Sequence, residues 1–184
     1  MKIGITGGIG SGKSFVCRLL SKYGIQVYDC DQAAKRLMRT SPLLKEQLTQ
    51  LIGPEAYDTS GQLNKAAIAH YLLDSQEHTL AINAIVHPAV FRDFEESGLN
   101  WMESAILFES GINRLVDRVI VVTAPEQVRI SRIIQRDGIT PEKAKEWISC
   151  QWPQEEVRKR ADYEIVNDGL TDLNQQIENI INSL

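Results

Sequence analysis

The chain has 184 residues, of which 43% are hydrophobic, and this length is enough to bury one substantial core. Its 20 basic and 24 acidic residues give a net charge of -4, which excludes the global cationic field that drives sequence-independent nucleic-acid binding. The opening MKIGITGG contains no signal-peptide core, and no apolar run approaches the length of a membrane span. We therefore expect a cytoplasmic single-domain protein without nucleic-acid or membrane partners.

Cysteine usage supports the same expectation. Cys17, Cys30 and Cys150 are odd in number and far apart, and none lies in a Cys-x-x-Cys or histidine-rich setting. This spacing indicates neither a disulfide framework nor a zinc site. We expect three reduced packing residues.

The first two strand–helix units are predicted to be contiguous. Residues 2–6 form a short apolar run bounded by glycines, and from Lys13 apolar positions recur at helical spacing until Gly24. Residues 25–29 predict a second strand, after which Asp31 is expected to N-cap a helix running through AAKRLMR.

The middle of the chain carries a different pattern. From residue 41 to about 98 strand signals are absent, and apolar residues recur at helical spacing over 44–52, 66–73 and 80–94. This segment predicts a helical insertion.

Strand patterns resume after the insertion. Residues 104–108 (SAILF) and 118–124 (RVIVVTA) are unbroken apolar stretches, which suit buried strands of a parallel sheet covered on both faces. Pro125 is expected to open an arginine-bearing helix, and Thr140-Pro141-Glu142 begins another with Pro at its first position. Residues 155–161 predict a short basic helix, so that 137–161 is the candidate for a lid.

The last strand is predicted at 163–167, and a terminal helix follows it. Strands that alternate with helices indicate a doubly wound α/β fold around a mostly parallel five-stranded sheet. The predicted core covers about 1–40, 99–136 and 162–184, the helical insertion about 41–98, and the lid about 137–161.

Residues 7–14 carry the strongest motif. Gly-Gly-Ile-Gly-Ser-Gly-Lys-Ser satisfies G-x-x-x-x-G-K-[ST], and it lies between a predicted strand and a predicted helix, which disfavours an incidental glycine-rich turn. Glycines let the backbone curl around phosphate with its N–H groups inward, and the helix N-terminus adds partial positive charge. Lys13 is expected to reach the β- and γ-phosphates, and the Ser14 hydroxyl to bind Mg²⁺.

The motif predicts a MgATP or MgGTP site. Phe15 stands where many kinases have Thr, so one side-chain contact to phosphate is lost while the backbone donor remains. The predicted nucleotide contacts are Gly8, Ile9, Gly10, Ser11, Gly12, Lys13, Ser14 and Phe15.

Two other classes that use this motif fit the chain less well. A switch GTPase needs Asn-Lys-x-Asp, and the Asn-Lys at 64–65 lacks the aspartate and lies in the helical insertion. A motor or transport ATPase normally has an apolar strand ending in Asp-Glu, which neither SAILFES nor RVIVVTAPE provides. A small-molecule kinase is favoured; the rivals are a kinase for another acceptor, such as a nucleoside monophosphate, and a non-catalytic nucleotide-binding module.

Such a kinase needs a carboxylate to position or deprotonate the attacking hydroxyl. Asp29-Cys30-Asp31 follows the second strand, which we expect beside the strand that leads into the phosphate loop, where ligands bind in open α/β sheets. Asp31 is the candidate base, with helix capping as its alternative role. Asp29 is a candidate to support Mg²⁺ through a water.

Cations must also neutralise charge on the transferring phosphoryl group. Arg129, Arg132 and Arg136 recur at i, i+3 and i+7 on one predicted helix face, a pattern that is usually solvated surface. For Arg136, which precedes Asp-Gly and the candidate lid, we favour phosphate contact, because one lysine alone is insufficient. His87 by itself is more often structural than catalytic.

With these motifs in order, the chain resembles the dephospho-CoA kinase family over nearly all of its 184 residues. The resemblance rests on the run Ile5 to Ser14, Asp29-Cys30-Asp31, Asn83-Ala84-Ile85-Val86-His87-Pro88, Leu107-Phe108-Glu109, Arg132, Arg136-Asp137, Gln151, Ala161-Asp162 and Asn167-Asp168-Gly169. It implies ATP-dependent phosphorylation of the ribose 3′-hydroxyl of dephospho-CoA to give coenzyme A. It also implies a P-loop nucleotide-kinase core, a helical substrate subdomain and a mobile lid.

The resemblance further implies roles for single residues. It casts Asp31 as the general base and places His87 and Arg136 near the acceptor and the phosphates. We expect catalysis by Asp31, Lys13 and Arg136, and acceptor binding by Asp31, His87, Phe108, Glu109 and Arg132. ATP and Mg²⁺ are the expected cofactors, dephospho-CoA the expected partner, and a monomer or weak homo-oligomer the expected assembly.

Three positions depart from the family pattern. Phe15 replaces a usual Thr, Ala105 stands where the Pro of Pro-Leu-Leu-Phe-Glu is common, and Arg129 falls where Gln is common. None of these changes removes a proposed catalytic group.

Overall fold

Five strands form one sheet in the computed structural model of the chain, which describes residues 1–184. They are β1 (Ile3–Thr6), β2 (Val27–Asp29), β3 (Trp101–Glu103), β4 (Arg118–Thr123) and β5 (Tyr163–Val166), in the spatial order β2-β3-β1-β4-β5. β1 pairs in parallel with β3 and with β4, and β4 pairs in parallel with β5. The predicted α/β fold with a five-stranded, mostly parallel sheet is confirmed.

The residues of β3 and its place in the sheet each correct a prediction. The strand covers 101–103, whereas residues 104–108, predicted as a strand, form a turn segment. In this segment Ser104 Oγ accepts the Ile106 N–H at 3.3 Å, a local bond of the kind that competes with a sheet ladder. Leu107 is nevertheless fully buried and packs on Gly4 of β1. The apolar run at 104–108 therefore places Leu107 in the core without forming a strand.

The position of β3 also changes the neighbourhood of the phosphate loop. β3 lies between β2 and β1, so the second strand is not beside the strand that leads into the loop. The strand that is hydrogen-bonded to β1 on that side ends in Glu103, which aligns with Ile5. The strand next to β1 therefore ends in an acidic side chain, Glu103.

Nine α-helices accompany the sheet. They are α1 (Lys13–Leu20), α2 (Cys30–Thr40), α3 (Pro42–Ile52), α4 (Lys65–Asp74), α5 (Gln76–Glu96), α6 (Glu126–Asp137), α7 (Pro141–Ser149), α8 (Gln154–Arg158) and α9 (Leu173–Ser183). None of them combines the length and the hydropathy that a membrane span requires.

The chain divides into two compact units, which we name the core unit (1–28 and 99–184) and the helical unit (29–98). The finer division into core, insertion and lid remains a prediction. In the core unit, β4 is buried along five of its six residues, as the unbroken apolar pattern predicted. β1, β4 and β5 pack against α1 and α9 through the buried side chains of Ile3, Ile5, Val16, Leu19, Leu20, Ile120, Val122, Ile165, Ile177 and Ile180.

The helical unit is built around α5. This helix has 21 residues and contacts α2, α3 and α4. Its inward face carries buried apolar side chains at helical spacing, and α3 and α4 contribute others. The buried set comprises Leu44, Leu48, Ile68, Ile82, Val86, Val90, Phe91 and Phe94.

The start of α2 corrects a predicted cap. Asp29, not Asp31, is the N-cap: its backbone is extended, and its Oδ1 accepts the Gln32 N–H at 2.9 Å. Asp31 lies in the first turn of the helix, where a negative charge is favoured by the helix dipole. Asp29 therefore has the capping role that the sequence analysis assigned to Asp31.

All three cysteines are free thiols, as predicted. Cys30 is buried and Cys17 is half-buried, which fits packing roles. Cys150 is exposed, so the prediction that it packs in the interior is wrong.

Candidate active site

The phosphate loop connects β1 to α1. Gly10 and Gly12 have φ angles of +80° and +87°, a backbone region that glycine enters without steric cost. Gly12 is the N-cap of α1 and provides no side-chain cap, so the first N–H groups of the helix remain available to an anion. The local sequence therefore produces the curled loop and open helix N-terminus that a phosphate needs.

Close packing on the outside of the loop explains why these positions are glycine. A Cβ at Gly8 would lie 2.5 Å from Arg129 Nη2, and a Cβ at Gly10 would lie 2.6 Å from the Arg129 carbonyl oxygen. A Cβ at Gly12 would lie 2.1 Å from Asn167 Nδ2. The loop is thus enclosed by α6 and by the residue after β5.

Arg132 and Asn167 hold the loop carbonyls outward. Asn167 Nδ2 donates to the Ser11 carbonyl at 2.8 Å, and Arg132 Nη1 donates to the same oxygen at 3.2 Å. Arg132 Nη2 also donates to Asn167 Oδ1 at 3.1 Å, which ties the two braces together. These bonds fix the Ser11 carbonyl on the outer side of the loop.

Arg129 is a second brace, and its burial contradicts the expectation of solvated surface. Its side chain lies against Gly8, only 6% of the residue is exposed, and Nε donates to the Ile9 carbonyl at 2.9 Å. Burial lowers the pKa of Arg129, an effect that Glu126 opposes. The Ile9 N–H donates to Gln151 Oε1 at 2.7 Å, so Ile9 is held from both sides.

Glu103 is a site residue that sequence reasoning missed. Its Oε2 accepts a hydrogen bond from Lys13 Nζ at 2.8 Å, and both side chains are about nine-tenths buried. Cys17 Sγ donates to the same oxygen at 3.3 Å. An ammonium has three donors, so Lys13 keeps two for a phosphate while the third is bonded. The sequence signal for this role was the acidic residue that ends β3, immediately before the strand predicted at 104–108.

The remaining loop residues differ in exposure. Ser14 and Phe15 are exposed in the first turn of α1, and the Phe15 ring lies 5.5 Å from the Arg18 guanidinium carbon. Ser11 Oγ is buried without a hydrogen-bond partner, an uncommon cost inside a protein. The glycine cradle and the exposed Ser14 hydroxyl fit a nucleotide phosphate with its magnesium ion.

Arg136 lies at the end of α6, away from the brace contacts made by Arg129 and Arg132. It is exposed, and its Nη2 donates to Asp137 Oδ2 at 2.7 Å while Nε donates to Oδ1 at 3.0 Å. These bonds raise the pKa of Arg136 and lower the pKa of Asp137. The predicted phosphate contact of Arg136 remains a prediction.

Phe108 and Glu109 lie in the segment after β3. The Phe108 ring is nearly parallel to the Trp152 ring, with centroids 6.5 Å apart. The guanidinium carbon of Arg160 also lies over the Trp152 ring, 4.8 Å from its centroid. Glu109 and Trp152 line a narrow recess together with Gly7 and Gly8 of the phosphate loop. The structure therefore brings Glu109 to the loop, and its predicted contact with the acceptor remains a prediction.

Asp31 and His87 belong to the helical unit. Asp31 is exposed in the first turn of α2, and His87 is half-buried in α5 with its ring centroid 6.2 Å from that of Phe91. Desolvation lowers the pKa of His87 from its ordinary value of 6.5, so its ring is neutral at pH 7. A neutral imidazole both donates and accepts a hydrogen bond.

Comparison with known proteins decides the family. The family model described as dephospho-CoA kinase matches residues 1–172. The dephospho-CoA kinase of Bacteroides fragilis is 40% identical over 188 residues, covering 98% of this chain and 91% of its own. This chain belongs to the dephospho-CoA kinase family. The dephospho-CoA kinase of Porphyromonas gingivalis is 43% identical over 172 residues, covering 90% of this chain and 85% of its own.

Solved structures share the fold of this chain. A crystal structure from Thermus thermophilus has a TM-score of 0.85 at 35% identity, covering 100% of this chain and 97% of its own. Shikimate kinase from Acinetobacter baumannii has a TM-score of 0.59 at 17% identity over 99% of this chain and 93% of its own, which shows a shared fold. The family and the kinase fold predicted from sequence are confirmed.

Proposed function

We propose that this protein transfers the γ-phosphoryl group of ATP to the ribose 3′-hydroxyl of dephospho-CoA, giving coenzyme A and ADP. The observation that carries the proposal is the dephospho-CoA kinase family match over residues 1–172, which includes the whole phosphate loop. The loop geometry supports it, because a backbone curved at its glycines, an uncapped helix N-terminus and a buried lysine all suit a nucleoside triphosphate.

The core unit provides the donor side of the reaction. Backbone N–H groups of the loop and of the first turn of α1 hold the phosphates, and Lys13 neutralises negative charge on the group being transferred. Arg132 and Asn167 fix the loop through the Ser11 carbonyl, so the donors are oriented before ATP binds. Fixed donors aimed at developing charge need no reorganisation during the reaction.

Ser14 would hold Mg²⁺ through its exposed hydroxyl, and the ion supplies charge neutralisation between the β- and γ-phosphates when bound. Asp29 contributes less than the sequence suggested. One of its oxygens already caps α2, which leaves only the other for a water on the metal.

The acceptor side is assigned to the helical unit. Asp31 orients the 3′-hydroxyl and accepts its proton, and neutral His87 donates a hydrogen bond to the acceptor. Arg136 closes over the γ-phosphate with the lid formed by residues 137–161, which excludes water and limits futile ATP hydrolysis. We further propose a cytoplasmic protein that is a monomer or a weak homo-oligomer.

The direct test measures ADP formation by the purified protein with MgATP, with and without dephospho-CoA, and identifies the product by mass. We expect a rate that depends on dephospho-CoA and a product one phosphate heavier than the acceptor. Stimulation by nucleoside monophosphates but not by dephospho-CoA would overturn the acceptor and leave a P-loop kinase. Nucleotide binding without transfer to any acceptor would support a non-catalytic module.

Two variants, Asp31→Asn and Lys13→Ala, test the acceptor side and the donor side separately. Asp31→Asn should depress turnover about 100-fold or more while ATP affinity stays near that of the unchanged protein, since general-base catalysis contributes on this scale. Lys13→Ala should weaken phosphate binding and turnover together. Equal losses of turnover and ATP affinity in Asp31→Asn would assign Asp31 a structural role.

A further inference from the structure

The side-chain amide of Gln151 has two hydrogen-bond donors that the protein does not use. Its Oε1 accepts the Ile9 N–H at 2.7 Å, and because a backbone N–H only donates, this bond fixes which end of the amide faces Ile9. The amide nitrogen, Nε2, makes no hydrogen bond within the protein and is open to solvent. Gln151 thus holds the phosphate loop with one atom and keeps the other for a ligand.

Gln151 lines the narrow recess beside the phosphate loop. Arg129 and Glu109 share the wall of this recess with Gly7 and Gly8. Its volume of about 10 Å³ is roughly that of one water, so it accommodates a single oxygen atom. Gly7 follows β1, and Glu109 lies in the segment after β3. The recess is therefore at the carboxyl edge of the sheet, where ligands bind in open α/β folds.

An anionic oxygen in this recess needs donors, because the Glu109 side chain is an acceptor. Arg129 contributes positive charge, but its Nε is already bonded to the Ile9 carbonyl at 2.9 Å, and burial lowers its pKa. The two N–H groups of Gln151 have no such bond. A neutral amide also binds an anionic oxygen without the desolvation cost of a second buried cation.

The segment that carries Gln151 is held by contacts on both sides of this residue. Helix α7, which ends two residues before it, packs on α6. After it, the Trp152 ring is nearly parallel to the Phe108 ring, and Gln154 Oε1 accepts the Ala124 N–H at 3.1 Å. The amide is therefore positioned at the loop before a substrate arrives, and a preorganised donor needs no reorganisation as charge develops.

We propose that Gln151 is a further catalytic residue, whose Nε2 donates a hydrogen bond to an oxygen of the γ-phosphoryl group during transfer. The proposal rests on the proposed function, since it concerns the group moved in that reaction. The P–O bond to ADP breaks and the P–O bond to the 3′-oxygen forms, while Gln151 neither gains nor loses a proton. Transfer spreads negative charge over the equatorial oxygens, so a fixed donor beside Gly8 stabilises the transition state more than bound ATP.

Steady-state kinetics of Gln151→Met test the donor, because methionine has a similar length but no N–H group. The kcat should fall about 100-fold, the lower end of the cost of removing one preorganised donor, whereas the KM for MgATP should change less than about threefold. Gln176→Met is the matched control. Gln176 Oε1 also accepts a backbone N–H, that of Val166 at 2.8 Å, but it lies in α9 outside the recess. Its kcat should stay within about twofold of the unchanged protein.

Gln151→Glu separates the donor from the bond to Ile9. The carboxylate still accepts the Ile9 N–H, so this variant keeps the loop contact and provides the test if Gln151→Met does not fold. It has no donor at about pH 8, whereas a protonated carboxyl regains an O–H donor. Its kcat relative to the unchanged protein should be low at about pH 8 and rise toward about pH 5, while the ratio for Gln151→Met stays flat.

A kcat of Gln151→Met within about twofold of the unchanged protein, or equal losses in Gln151→Met and Gln176→Met, would overturn the catalytic role. Full activity of Gln151→Glu at about pH 8 would likewise reduce Gln151 to a structural acceptor for Ile9. These outcomes leave the proposed function intact, because the unchanged protein still phosphorylates dephospho-CoA. Absence of any dephospho-CoA-dependent ADP release by the unchanged protein would overturn the proposed function and, with it, this assignment.

Discussion

At the scale of single residues, the phosphate loop is shaped as much by what packs outside it as by its own glycines. Gly8 lies against the Arg129 side chain, whereas Gly10 lies against the Arg129 backbone. Arg129 stands where the family resemblance leads us to expect Gln, so the contact with Gly8 is a feature of this chain. A buried guanidinium that bonds the Ile9 carbonyl now fills the space beside the loop.

This difference predicts a selective rescue. Gly8→Ala should destabilise the protein by about 1–3 kcal/mol, the usual range for overpacking, because the new methyl meets Arg129 Nη2 at 2.5 Å. Adding Arg129→Gln should recover most of that loss, because a shorter neutral side chain vacates the position. Chemical denaturation of the two single variants and the double variant gives the coupling energy directly.

Gly10→Ala is the control for that cycle. Its methyl would meet the Arg129 carbonyl oxygen at 2.6 Å, and its φ of +80° is strained for any L side chain. Arg129→Gln changes neither the backbone carbonyl at position 129 nor the φ angle at position 10, so it should not rescue Gly10→Ala. Rescue of both alanines, or of neither, would contradict the view that the Arg129 side chain occupies the Gly8 face.

At the scale of elements, the sequence was sufficient where a segment has one strong periodicity. β1, β4, β5 and the helices of both units lie where apolar spacing and glycine or proline boundaries predicted them. β3 was misplaced because residues 101–103 carry too short a pattern to compete with the apolar SAILF that follows. In that run only Ser104 and Leu107 are fully buried, and neither lies in a strand, so an apolar pattern does not by itself identify a strand.

Contacts between distant segments limited the prediction of the site. The phosphate loop and Lys13 follow from a local motif, but Glu103, Gln151 and Asn167 reach the loop from separate elements. No local spacing encodes which side chain will face the loop across 90 to 156 residues of sequence. Strand order has the same origin: β3 lies between β2 and β1 although the helical unit separates it from both in the chain.

The start of α2 gives a prediction at this scale. Because Asp29 Oδ1 accepts the Gln32 N–H, Asp29→Ala should cost about 1 kcal/mol of unfolding free energy. Asp29→Asn should retain that free energy, since asparagine caps a helix equally well, and it should retain turnover. Urea unfolding and steady-state rates of both variants provide the measurement. If Asp29→Asn preserved stability but lost turnover at low Mg²⁺, the aspartate would serve the metal and not only the helix.

At the scale of the whole molecule, function is distributed between two units while the net charge stays negative. The donor site and its braces belong to the core unit, and Asp31 and His87, the residues proposed for the acceptor, belong to the helical unit. A net charge of -4 provides no long-range attraction for polyanionic substrates. Each anionic substrate must therefore be bound by local groups, and the two sets of groups lie on different parts of the chain.

Hydrogen exchange should separate these two sets. A non-hydrolysable ATP analogue bound to the full protein should slow amide exchange mainly in residues 7–20, where loop and helix N–H groups bind phosphate. Dephospho-CoA alone should slow exchange mainly in α2 and α5, which carry Asp31 and His87, because ligand contacts suppress local opening near the site that they occupy. Protection of α2 and α5 by the ATP analogue, with none in residues 7–20, would contradict the division of donor and acceptor sites between the two units.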